Sequence, residues 1–161
     1  FGKYPFLNTY DELKNHQYIY PNKMFDQILC IDDDPIALML CKKVITKAEF
    51  SKEIITAQNG EEALSYFNSL KYNTKPTDLN AKKPRLIFLD LNMPVMGGWE
   101  FLDHFSTSNY SDFNTTNIII LSSTIDPEDL EKAKNYPMIL DFLSKPITLQ
   151  MLEYIKNKMS I

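Results

Sequence analysis

The 161-residue chain predicts an α/β fold: a doubly wound, five-stranded parallel sheet with helices on both faces. Three observations predict it. Five short apolar runs recur along the chain: ILCI (28–31), EIITA (53–57), RLIFLDL (85–91), NIIILSS (117–123) and ILDFLSKP (139–146). Helical patterns separate and follow these runs. The runs also lack strict apolar–polar alternation, as strands covered on both faces require. Right-handed crossovers then distribute the helices over two layers, one on each side of the sheet.

Each element has a local cause. Residues 1–26 (FGKYPFLNTYDELKNHQYIYPNKMFD) are aromatic-rich, have no long apolar period, and are set apart as an N-terminal extension; residues 27–161 form the domain. Within the extension, Thr9 and Glu12 have capping-box spacing, which predicts a short helix from Tyr10 to Asn15. After the first apolar run, Asp34 caps a helix that Pro35 begins. Ile36, Leu40 and Val44 then recur at helical spacing. Asn59 and Gly60 make a turn, and Ala63, Leu64, Phe67 and Leu70 give a second amphipathic helix. The polar stretch 71–84 reads as a loop, long for a compact domain. GGWEFLDHF (97–105) starts a third helix. Asp126 caps a fourth, with Pro127 at its first position, over 126–135. The last spans 148–159 and carries Leu149, Leu152, Ile155 and Met159 on one face.

Composition narrows the functional classes. An apolar fraction of 44% and a charged fraction of 24% are ordinary for a globular domain. The net charge of -4, with Arg85 as the single arginine, argues against direct nucleic-acid binding, which needs a concentrated cationic face. No apolar stretch is long enough to cross a bilayer, and no signal peptide is visible. Cys30 and Cys41 lack metal-ligand spacing and read as reduced thiols in a cytoplasmic core.

Chemistry concentrates where the apolar runs end. The first runs into Asp32, Asp33 and Asp34, the third into Asp90, the fourth into Ser122 and Ser123, and the fifth into Lys145. In a parallel sheet these ends share one edge, where ligands of open α/β sheets bind. Carboxylates gathered there repel one another unless a proton or a cation intervenes. Oxygen-only donors from two or three acids suit Mg²⁺. A lysine and a hydroxyl on the same edge suit a phosphoryl group, and an aspartate among them can be the nucleophile that accepts it. Unrelated surface charges would not all fall at the ends of apolar strands.

ILCIDDDP, LIFLDLNMPVMGGWEFL, IIILSST and DFLSKPI together resemble the four signatures of response-regulator receiver domains of two-component signalling, in the family's order and spacing. The resemblance spans 27–159 and is to the single-domain, chemotaxis-receiver type. It implies a flavodoxin-like sheet of order 2-1-3-4-5. It implies Asp90 as phospho-acceptor, with Mg²⁺ held by Asp33 directly, Asp32 through water, Asp90, and the Asn92 backbone carbonyl. Ser122 matches the switch hydroxyl, Phe142 the aromatic that moves with it, and Lys145 the partner of the phosphoryl group. A cis peptide is implied before Pro146. The side chains of Asn92 and Thr124 match positions that tune dephosphorylation. The implied donor is a histidine kinase or histidine phosphotransfer protein, and the output is altered contact with an unknown downstream protein. Whether phosphorylation drives dimerisation stays open. The domain would assist only its own phosphorylation and dephosphorylation rather than act as an enzyme. Departures are small: Ser122 stands where Thr is commoner, Ser123 where Ala is frequent, and the loop 71–84 is longer than in minimal members.

Blander readings apply elsewhere. Asp34 is a helix cap only. His16 and His104 have no partner motif and read as surface residues. Met93 and Met96 are packing residues, Trp99 fits either core or partial exposure, and DPEDLEKAK reads as a solvated helix face that receivers often use for partners. Two functional alternatives stand beside the main one. Haloacid-dehalogenase-like phosphatases carry an Asp-x-Asp after the first strand, and Asp32-x-Asp34 fits that pattern, but Pro35 starts a helix at once and Asp90 would be left without a role. A binding-only receiver module would not need the acids and Lys145 that are all present.

Overall fold

The computed structural model describes residues 24–75, 77, 78 and 81–161. The helix expected at 10–15, and His16, lie outside them. Five strands form one parallel sheet: β1 (Phe25–Ile31), β2 (Ser51–Ala57), β3 (Leu86–Leu89), β4 (Asn117–Ser122) and β5 (Ile139–Ser144). Their order is β2-β1-β3-β4-β5. The helices are α1 (Pro35–Lys47), α2 (Gly60–Asn73), α3 (Gly98–Phe105), α4 (Pro127–Ala133) and α5 (Leu149–Lys158). This is the doubly wound flavodoxin-like arrangement.

The pleat divides the core in two. On β1, Ile28 and Cys30 face one layer while Leu29 and Ile31 face the other; β3 and β4 do the same with Leu86 and Phe88 against Ile87 and Leu89, and Ile119 and Leu121 against Ile118 and Ile120. The first layer is closed by α1 and α5 through Leu38, Cys41, Ile45, Leu152 and Ile155. The second is closed by α2 and α3 through Ala63, Phe67, Phe101, Leu102 and Phe105. Burial is uneven, unlike the uniform apolar runs of the sequence. β1, β3 and β4 are buried almost throughout, whereas the edge strands β2 and β5 are half-exposed over most of their length.

Side-chain caps account for the helix starts. Asp34, Asn59, Asp126 and Thr148 each accept a bond from a first-turn backbone N–H, at 2.9, 2.9, 2.9 and 3.2 Å. Several boundaries differ from the sequence pattern. β1 starts at Phe25, two residues before the boundary drawn at 27, because Phe25 is buried, its ring lies 4.9 Å from that of Phe50, and it pairs with Ser51. Gln27 is buried too, accepting from the Tyr66 hydroxyl at 2.6 Å and donating to Glu53 at 3.1 Å. Burial pushes the Tyr66 phenol up to about 12, so it stays a neutral donor. α2 runs to Asn73 and takes three residues from the expected loop. β3 and β5 stop earlier than the apolar runs, at Leu89 and Ser144. A 3₁₀ helix at Ser108–Phe113 lacks any apolar period but seats Phe113 in the core.

Phe67 carries much of the second layer. It is fully buried and sits 4.7 Å from the rings of both Phe105 and Phe113. Phe67→Ala should lower unfolding free energy by about 3–5 kcal/mol, measured by urea denaturation, because the cavity cannot collapse between two rigid rings.

Candidate functional site

The sheet order reverses between β1 and β3, and the crevice beyond their carboxyl ends is where the acids collect. Ile31 and Leu89 are register partners, and the pairing continues past both strands. The Asp90 N–H donates to the Ile31 carbonyl at 2.9 Å, and the Asp32 N–H to the Ala57 carbonyl at 3.1 Å. Two backbone bonds thus hold Asp32 and Asp90 on adjacent strands, and each residue is only 7% exposed. Asp33, one residue on, is exposed. One carboxylate oxygen from each of Asp32, Asp33 and Asp90 falls within 4.8 Å of the others.

Lys145 enters from beyond β5. Its Nζ lies 2.6 Å from Asp32 Oδ2 and 3.4 Å from Asp90 Oδ1. Its own N–H donates to the Ser122 carbonyl at 2.8 Å, and the Lys145–Pro146 peptide is cis. Burial works to lower the Lys145 ammonium, but bonding to Asp32 and the charges of Asp32 and Asp90 outweigh it, so the group is held above its ordinary value. Asp90 behaves oppositely. Burial raises its carboxyl above the ordinary 3.8, with Lys145 pulling it down and Asp32 pushing it up. The backbone N–H of Asn92 also pulls it down. The second oxygen of Asp32 accepts from the Asp34 N–H at 2.9 Å.

Three carboxylates and one ammonium leave the cluster formally short of positive charge. Asp33 makes no hydrogen bond or ion pair among the described residues. A hard divalent cation fits such a set of oxygen donors.

The remaining sequence-predicted residues are placed as follows. Ser122 is buried, and its hydroxyl donates to the Thr124 carbonyl at 2.5 Å rather than to any acid. Phe142 is half-buried against the second core layer. Asn92 and Thr124 are exposed on the two loops that flank the cluster. Asp34 turns away to cap α1, so Asp32 and Asp34 do not form an acid pair. Met96 is buried and Met93 packs on the core. Among the described residues His104 lies on the surface, and Cys30 and Cys41 are buried free thiols 3.6 Å apart. No helix is long and apolar enough to cross a membrane among the described residues.

The response regulator receiver domain family model matches residues 28–156. The chain belongs to that family. This receiver is 30% identical over 131 residues to the two-component response regulator ARR17 of Arabidopsis thaliana, a match covering 80% of this chain and 81% of the plant protein. It is 33% identical over 123 residues to the nitrate/nitrite response regulator protein NarL of Escherichia coli, covering 66% of this chain but only 51% of that protein. The crystal structure of a two-component response regulator from Cytophaga hutchinsonii superposes with a TM-score of 0.74 at 32% identity, over 84% of this chain and 97% of that one. The receiver is thus a signalling domain of two-component systems, and the phosphatase alternative built on Asp32 finds no support in family or geometry.

Two features of the receiver site escaped the sequence reading. Gly98, the first residue of α3, lies so close to the β3 exit that an added Cβ would meet the Asp90 carbonyl oxygen at 2.6 Å and Leu91 Cα at 2.8 Å. The Gly97–Gly98 doublet was the available signal. Val95 holds φ at 72°, a left-handed conformation that is costly for a β-branched residue, in the loop after Asp90. No residue type announces it.

Gly98→Ala should therefore push α3 off the Asp90 loop, with a loss of about 1–3 kcal/mol in denaturant unfolding. A second expectation follows from the raised Asp90 carboxyl. Its folded value lies above its unfolded one, so its contribution to stability is full below about pH 3.8 and is lost as pH rises through the folded value. Asp90→Asn should be the more stable protein at pH 7, and the gain should vanish toward pH 3 in thermal melts across that range.

Proposed function

We propose that this receiver is a phosphoryl-accepting switch in which Asp90 takes the phosphoryl group from a phosphohistidine of a histidine kinase or phosphotransfer protein. The observation that carries the proposal is the convergence of Asp32, Asp33, Asp90 and Lys145 on the carboxyl edge of the sheet. An Asp90 oxygen attacks phosphorus, the bond from phosphorus to the imidazole nitrogen breaks, and the imidazole leaves with the bonding pair. Mg²⁺ supplies neutralisation of the phosphoryl and carboxylate charges when bound, and Asp32, Asp33, Asp90 and the Asn92 backbone carbonyl would hold it.

The chain's own groups do the rest. Lys145 already bridges Asp32 and Asp90 and can turn its ammonium to a phosphoryl oxygen. The Ser122 hydroxyl must leave the Thr124 carbonyl to donate in the same direction, and Phe142, facing Ile120 across the β4–β5 ladder, shifts with it. The phosphoryl group then biases a pre-existing two-state equilibrium and changes the affinity of the surface around β4, α4 and β5 for a downstream protein. The side chains of Asn92 and Thr124 flank the path of the water that ends the signal. The receiver works in the cytoplasm on no separate substrate, promoting only its own phosphorylation and dephosphorylation, and it does not contact nucleic acid directly. The receiver begins with β1 at Phe25, and the residues before that strand are an extension to it.

Intact mass after incubation with acetyl phosphate and Mg²⁺ tests the proposal. One added phosphoryl group is expected in the wild type and none in Asp90→Asn, and chelation of Mg²⁺ should abolish the gain. A folded wild type that gains no mass would leave a binding-only module. Steady phosphate release that survives Asp90→Asn but not Asp32→Asn would mark hydrolysis instead.

A further inference from the structure

Among the described residues, α4 is the one α-helix that contributes no buried side chain to either core layer. It has seven residues, too few for a helix to persist in water by itself. Only Asp129 and Ala133 within it are even half-buried, and Leu130 is 42% exposed. Its position must therefore come from contacts at its rim.

Those contacts converge on Trp99 of α3. The indole N–H donates to Asp129 Oδ1 at 3.0 Å. The Lys132 ammonium stands 4.7 Å from the indole ring centroid, within cation–π range. Asp129 and Lys132 are three residues apart, so they share one helix face. Tyr136, just past α4, packs its ring 5.5 Å from the indole, and its hydroxyl donates to Asp103 of α3 at 2.5 Å. At the other end of α4, the bond from Ser122 to the Thr124 carbonyl lies within the loop that leads to the Asp126 cap.

We propose that Trp99 is a positioning residue, an indole latch that keeps α4 docked on α3 and is weakened when Asp90 is phosphorylated. The second half rests on the reading of Asp90 as phospho-acceptor. A hydroxyl has one proton to donate. If Ser122 gives it to a group at Asp90, the Thr124 carbonyl loses its donor and the loop into α4 loses a tether. With no buried side chain to resist, α4 can then shift on α3, and the Trp99 contacts loosen with it while the Tyr136–Asp103 bond remains beyond its end. Coupling is reciprocal, so weakening the latch favours phosphorylation as much as phosphorylation weakens the latch.

Hydrogen exchange read by mass spectrometry on the full unphosphorylated chain decides the latch. Amides at 127–136 should exchange about tenfold faster in Trp99→Leu and in Asp129→Ala, with those of β4 unchanged. Trp99→Phe should fall between, because it keeps a ring for Lys132 and Tyr136 but no N–H. Trp99 is the only tryptophan of the chain, so its emission reports the coupling. Acetyl phosphate with Mg²⁺ should shift that emission in the wild type as its mass rises, and leave Asp90→Asn unchanged. Trp99→Leu should bind beryllofluoride with Mg²⁺, a non-covalent stand-in for the phosphoryl group, about threefold more tightly. Unaltered exchange across α4 in all three variants overturns the latch. Unaltered emission in a protein that has gained the phosphoryl mass overturns the coupling. No mass gain in the wild type refutes the Asp90 reading and the coupling together, while the exchange data still decide the latch.

Discussion

The Lys145 ammonium between Asp32 and Asp90 is the contact around which this domain is organised. Two carboxylates, each 7% exposed and held on adjacent strands, repel one another unless a cation stands between them. Lys145 supplies it from the far end of the sheet, beyond β5, two strands away from β3. The contact therefore requires the whole strand order. It requires β1 and β3 in register so that the acids emerge together, β4 between β3 and β5 to set the reach, and Gly98 to let α3 begin against the Asp90 carbonyl.

Rigidity is distributed to match. The strands that carry Asp32, Asp90 and Ser122 are the buried ones, packed on both faces, so these side chains are held in place. The β5 edge and α4 are the opposite. β5 is half-exposed along its length and α4 buries nothing. At β5, Asp141 is bonded to Tyr154 and Lys158 of α5. Burial would raise the Asp141 carboxyl, but those bonds and the Phe142 N–H hold it below the ordinary carboxylate value. Polar contacts of this kind are individually weak and easily exchanged, which suits a surface that must sit in either of two arrangements. A stiff acid cluster beside a loosely held face is a workable division of labour for a switch.

Much of this was legible in one dimension. Apolar runs without strict alternation implied a parallel sheet, and the Asp-Pro pairs at 34–35 and 126–127 marked two helix starts that the structure keeps. The site was legible because strand ends in a parallel sheet share an edge, so residues far apart in sequence could be assigned to one place. Phe25 was missed because one buried aromatic in an aromatic-rich stretch carries no period. The 3₁₀ helix was missed because six residues cannot establish one either. The charged segment DPEDLEKAK reads as a solvated face, and most of it is, but Asp129 and Lys132 are bound to Trp99. That difference has no sequence signal, since an aspartate looks the same whether it faces water or an indole.

Local chemistry by itself determined the element types, the caps and the residues available for reaction, because periodicity and capping act over a few neighbouring positions. Only the tertiary structure decided which strands are edges, that Lys145 favours Asp32 over Asp90, that the Ser122 hydroxyl faces Thr124, and that Asp129 and Lys132 of α4 meet one indole. These depend on distances between segments dozens of residues apart. Such distances are set by the packing of the whole sheet and its helices.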